Sequence, residues 1–160
     1  CWSGSCSGGR WSSYPGTTGP VNVARDGDLR AIFRRRLPQF MWTSVESGGT
    51  TRGIPDSHYC GQGSSGWVEF KQTRAWAVGM RPEQIGWAAQ YSRHGGRSWI
   101  AVRRVRSDAD ELWLVPGNYG ATLKQHGLRP VYDGKIPGIY YSGGPAKWPW
   151  DTIGRLLAPA

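Results

Sequence analysis

Two acidic residues and a lysine stand at spacings that could do chemistry. Gly53-Ile54-Pro55-Asp56 is followed by twelve residues and then by Glu69-Phe70-Lys71. The proline fixes the approach of the chain to Asp56. In a strand, residues two apart share a face, so Glu69 and Lys71 would point the same way. A hairpin between the two segments would bring Asp56 beside Glu69. Two carboxylates at one spot repel each other unless a cation joins them. Hard oxygen ligands with open positions suit Mg²⁺ or Mn²⁺, and the Phe70 carbonyl can add a further oxygen. An ion held there would acidify its bound water and polarise a phosphodiester. Lys71 would then position the water or offset charge building on the phosphate. The bare Glu-x-Lys triplet also occurs as an ion pair on exposed strand faces, so by itself it leaves that reading open.

The elements around these residues can be read from periodicity. Residues 26–37 predict a short helix with Leu29, Ile32, Phe33 and Leu37 on one face, capped by Asp26 or Asp28 and stopped by Pro38. Residues 40–46 predict a strand, 47–53 a glycine-rich loop, 54–58 a short extended piece and 60–66 a turn. In 67–73, Val68, Phe70 and Gln72 alternate with Trp67, Glu69 and Lys71, a strand signal. Pro82 opens a helix to about His94, closed by Gly95. Residues 98–105 and 111–115 predict a hairpin. The expected order is α-β-β-β-α-β-β, with no internal repeat. Residues 1–20 read as a Gly/Ser-rich flexible leader, 21–117 as the core, and 118–160 as an irregular Gly/Pro/aromatic extension ending in a short helix at 151–157.

Composition narrows the class. The chain has 160 residues, about one domain. It is too apolar and aromatic for a wholly disordered chain, and no apolar run reaches a membrane span. Its formal charge is +9, and arginine supplies most of the excess, because lysine occurs only four times. Arginine's planar fork matches phosphate oxygens, so a polyanion partner is expected. Arg34, Arg35, Arg36, Arg74, Arg81, Arg103 and Arg104 are the candidate phosphate contacts. Each cluster is equally compatible with a solvated face.

The ordered set of Gly-x-Pro-Asp, Trp-Val-Glu-Phe-Lys, Arg81-Pro82-Glu83-Gln84-x-x-Trp87, Gly95-Gly96 and the strand Ser-Trp-Ile-Ala-Val resembles the PD-(D/E)XK nuclease superfamily. Within it, the chain is most similar to the virus-type replication–repair nucleases (VRR-NUC) and related Holliday junction resolvase-like phage nucleases. The resemblance covers about residues 40–105. It implies an α/β restriction-endonuclease-like core, with a central mixed sheet flanked by helices. It also implies Mg²⁺- or Mn²⁺-dependent hydrolysis of DNA, with a branched or Holliday-junction substrate as the structure-specific form. Asp56, Glu69 and Lys71 match the motif residues, and Gln84 matches the glutamine that many members place near the active site. The upstream acid is open: Glu46 is favoured as a further metal ligand and Asp28 is held in reserve. The setting that fits this resemblance is bacterial cytoplasm or a phage-infected host, in DNA repair or recombination. Cutting two strands of a junction would favour a homodimer.

Other features weigh less. Cys1, Cys6, His58 and Cys60 fit no common zinc spacing. No phosphate-binding glycine loop supports a nucleotide cofactor. Trp42, Trp67, Trp99 and Trp113 are expected in the core. Trp76, Trp148 and Trp150 either pin loops or stack on unpaired bases. Two rivals to the enzyme remain: a non-catalytic nucleic-acid-binding module of the same fold, and a basic structural or interaction protein of a phage.

Overall fold

A computed structural model describes residues 27–45 and 53–159. The elements run α1 (Gly27–Arg36), β1 (Met41–Ser44), β2 (Ser57–Gly61), β3 (Ser64–Thr73), α2 (Pro82–Arg93), β4 (Ser98–Val105) and β5 (Asp110–Pro116). A 3₁₀ turn (Gly117–Tyr119), α3 (Gly120–His126), α4 (Arg129–Tyr132), β6 (Ile139–Tyr141) and α5 (Trp150–Leu157) complete the chain. The six strands form one sheet in sequence order. Only β3 and β4 pair in parallel, across the α2 crossover; the other neighbours are antiparallel. This is the expected α/β architecture, a mixed sheet with helices on both faces. Among the described residues, no helix is long and apolar enough to cross a membrane.

The sheet divides two cores, and strand alternation decides which residue enters which. Val68, Phe70, Ala101, Leu112 and Leu114 face α1 and α5, where they meet Leu29, Phe33, Leu37, Ile153 and Leu157. Ile100, Val102, Trp113 and Val115 face the other way, toward Leu123, Leu128, Val131, Val78 and Met80. The apolar stripe of α1 therefore lies where its 3.6-residue period placed it. Fully burying a ring such as Phe33 stabilises the fold by about 1.5–3 kcal/mol.

Three segments differ from expectation. Residues 60–66 hold most of a hairpin: β2 runs to Gly61, and Gln62 and Gly63 turn with φ of 52° and 73° before β3 begins at Ser64. Two positive φ values in a two-residue loop match strand twist, so the small polar residues there conceal strand ends rather than a long turn. The segment after Pro116, expected to be irregular, supplies a 3₁₀ turn, two helices and an edge strand. Its glycines and prolines punctuate elements too short to show a period. Trp148, a candidate for base stacking, is 2% exposed and sits in the α1–α5 core. Of the strand tryptophans, Trp113 is buried, while Trp42, Trp67 and Trp99 are half-buried. The expected leader at 1–20 and the cap Asp26 lie outside the described residues, as do Cys1 and Cys6.

The loop that reaches Asp56 is fixed at both ends. Gly53 has φ of 94°, and a Cβ there would lie 2.4 Å from the carbonyl oxygen of Glu83, in the first turn of α2. The Val45 N–H donates to the Asp56 carbonyl at 3.0 Å. Gly53→Ala meets both strain and a backbone clash. It is expected to cost about 1–3 kcal/mol or more, read as a lowered denaturant midpoint.

Tyr59 ties β2 to the chain's last helix, its hydroxyl donating to the Leu157 carbonyl at 3.0 Å. Burial pushes the phenol from 10.0 up to about 12. The unfolded phenol ionises first. Its contribution to stability is therefore complete below pH 10 and is lost as pH rises through about 12. Tyr59→Phe should lower stability by about 1 kcal/mol at neutral pH. It should also flatten the alkaline decline in urea midpoints between pH 10 and 12; an unchanged decline would count against this assignment.

Candidate active site

The ladder between β2 and β3 ends at the pair Ser57 and Val68. Beyond it, β3 continues to Thr73 without β2 beside it. Asp56 takes the place the next backbone group would have had. Its Oδ2 accepts the Phe70 N–H at 2.9 Å. A residue's N–H and C=O point to the same side of a strand, so the Phe70 carbonyl also faces this vacated edge. The Phe70 ring itself is buried in the α1–α5 core.

Glu69 and Lys71 project from the opposite face of β3, beneath the N-terminus of α2. Glu69 is 4% exposed. Its Oε1 receives the Lys71 Nζ at 2.7 Å and also the Gln84 Nε2. Gln84 in turn accepts from Lys71 Nζ at 3.2 Å and from the Arg81 backbone N–H at 3.1 Å. One amide thus satisfies an orphan donor at the start of α2 and holds both charged groups of β3. Gln84 reads in the sequence as an ordinary first-turn residue, and it serves that role as well.

The second oxygen of Glu69, Oε2, is buried and has no hydrogen-bond partner. Burial raises the pKa of this carboxyl, and the negative charge of Asp56 raises it further. Lys71 and Arg81 act in the opposite sense. A buried carboxylate oxygen without a partner, beside a second carboxylate, is the arrangement a hard cation would satisfy. Asp56, Glu69 and the Phe70 carbonyl offer hard oxygen donors of the kind such an ion takes. Among the described residues, no group of three or more His, Cys, Asp or Glu side chains could hold a metal. The open positions would fall to water and substrate, as Mg²⁺ prefers. Glu46, expected as a further ligand, lies outside the described residues, and nothing is described of the Asp28 side chain.

The arginines divide into groups. Arg34, Arg35 and Arg36 form the exposed last turn of α1. Arg34 donates to the Ser44 hydroxyl, and Ser44 pairs with Ser57, the residue after Asp56. Arg30, which sequence reasoning passed over, reaches the same hydroxyl at 3.4 Å. Arg74 and Arg81 are exposed at the two ends of the β3–α2 loop. Arg103 and Arg104 depart from their expected role as phosphate contacts. Arg103 forms a two-pronged pair with Asp110, at 2.9 and 2.7 Å. Arg104 is 3% exposed and pairs with Glu111 at 3.2 Å. A tight hairpin at 106–109 sets Arg104 directly opposite Glu111. His58 packs against Trp67 at 5.0 Å, and Cys60 is an exposed free thiol.

No protein-family model matches the chain, and no curated protein does. Among solved structures, the chain is similar to Hjc of Archaeoglobus fulgidus, a Holliday junction resolvase from an archaeal hyperthermophile. That similarity has 15% identity and a TM-score of 0.45, and it spans 57% of this chain and 74% of the other.

Proposed function

We propose that this chain is a metal-dependent DNA endonuclease, related to the virus-type replication–repair group of PD-(D/E)XK nucleases and acting on branched DNA. The observation that supports the reading is Asp56 accepting the Phe70 N–H, between the two residues of the Glu69–Lys71 ion pair, with one Glu69 oxygen unpartnered. These are the residues of the Gly-x-Pro-Asp and Glu-x-Lys motifs.

Each residue then has a role. Asp56, Glu69 and the Phe70 carbonyl would hold Mg²⁺ or Mn²⁺. When bound, such an ion supplies Lewis acidity toward a water and a phosphodiester oxygen. Lys71, held by Glu69 and Gln84, presents its ammonium to the attacking water and to the charge that builds on the phosphate. Water adds to phosphorus and gives up a proton to solvent, the P–O bond to the leaving nucleoside breaks, and the departing oxygen takes up a proton from solvent. Gln84 keeps Lys71 and Glu69 in register and is a positioning residue. Arg34, Arg35, Arg36, Arg74 and Arg81 supply phosphate contacts, which makes binding fall with salt. A homodimer would allow paired cuts across a junction.

The test is cleavage of branched, duplex and single-stranded DNA with Mg²⁺, Mn²⁺ or EDTA. Branched DNA should be cut with either ion and left intact in EDTA. Glu69→Gln keeps the shape of the side chain and removes its charge. That variant, Asp56→Asn and Lys71→Ala are each expected to slow cleavage by about 10²–10³-fold. DNA binding in EDTA should stay within about twofold, because phosphate contacts lie elsewhere. Undiminished cleavage in all three variants would sink the proposal. Metal-independent binding with no cleavage by the native chain would point instead to a binding module.

A further inference from the structure

Tyr132 and Tyr140 are 53% and 44% exposed, unusual for rings of their size in a chain with two well-filled cores. They lie 5.9 Å apart. Tyr140 stands on the edge strand β6 with one face stacked on buried Trp113, at 4.4 Å and 17°, which leaves its other face turned outward. Tyr132 meets Trp76 edge-on at 5.6 Å. Trp76 is held by two guanidinium groups, those of Arg104 and Arg129, at 3.9 and 4.0 Å from its ring centre. Arg129 is exposed, and Asp133 beside it is loosely matched by Lys135 at 3.9 Å.

The placement relates this cluster to the candidate active site. Across the sheet, Lys71 opposes Val102, Val102 opposes Trp113, and Trp113 opposes Tyr140. All four side chains belong to one face of the sheet. Three strand spacings separate Tyr140 from Lys71, about 14 Å, a span of about four stacked base steps. The loop that carries Trp76 ends at Arg81, beside Gln84.

We propose that Tyr132 and Tyr140, backed by Trp76 and Trp113, form a stacking platform for unpaired bases of the DNA that occupies the site. The inference rests on the nuclease reading for the polymer it names. It adds the substrate class, DNA with unpaired segments rather than plain duplex. Bases inside a duplex are already stacked, so exposed rings gain only from bases that have come out of it. Arg129 beside the rings suits the neighbouring phosphate, and a surface for an apolar partner would not require it.

Binding should be measured by fluorescence anisotropy in EDTA, on the full chain carrying Glu69→Gln, with a forked DNA, a single strand and a blunt duplex. Replacing both tyrosines with Ala is expected to weaken forked and single-stranded binding by about tenfold or more, while duplex binding stays within about twofold. Phe at both positions should restore binding; Leu at both, which keeps apolar bulk without a ring, should not. Equal loss on all three DNAs, or no loss, would overturn the platform. So would a native dimer that the Ala variant turns into a monomer in sedimentation, because the rings would then be a contact between copies. The measurement does not depend on cleavage. If the native chain cuts nothing yet the binding difference holds, the catalytic proposal falls and the platform stands.

Discussion

A carboxylate taken out of water must find compensation for the solvent it gives up, and Glu69 finds it on one side only. Lys71 and Gln84 converge on its Oε1, whereas its Oε2 meets no donor. Desolvation and the nearby Asp56 both disfavour its charge. Much of the surrounding structure keeps this arrangement from relaxing. The Val68 and Phe70 rows lock β3 from behind through the α1–α5 core. The Gly53 approach to Glu83 and the Val45 bond hold Asp56 in front. A side chain free to move would turn its second oxygen to water. This one is confined, and a further charge of the opposite sign would offset its desolvation.

The same strand thus does two jobs on two faces. Its alternation sends Phe70 into the main core and Glu69 and Lys71 toward α2. Packing supplies the rigidity and the other face carries the charged groups, with one residue of separation between them. The Phe70 peptide bridges the two roles: its ring anchors the strand while its N–H receives Asp56. A slip of one residue in register would exchange the faces and bury the charges in hydrocarbon.

Much of this was legible. The apolar stripe of α1, the alternation of β3, the proline start of α2 and the β4–β5 hairpin carry strong local signals, and each appears close to its expected bounds. The Gly-x-Pro-Asp and Glu-x-Lys segments touch through the Phe70 N–H, which donates to Asp56. What stayed hidden lacked a period. Ser57–Gly61 is a short strand with one core aromatic, Tyr59, and its partners rather than any apolar alternation make it one. β6 has three residues, and α4 has four. The fates of Arg103 and Arg104 turned on acids supplied by the opposing strand, a relation that the hairpin register exposes but a list of basic residues does not.

Gln84 binds the first turn of α2 and the two charged groups of β3 with a single amide. Helix ends are where local opening begins, well below the free energy of global unfolding. Each fraying of that turn would release the lysine and the glutamate together. Heating would therefore loosen this cluster gradually while the sheet beneath remained intact, so that loss of the arrangement and loss of the fold would run on separate temperature scales.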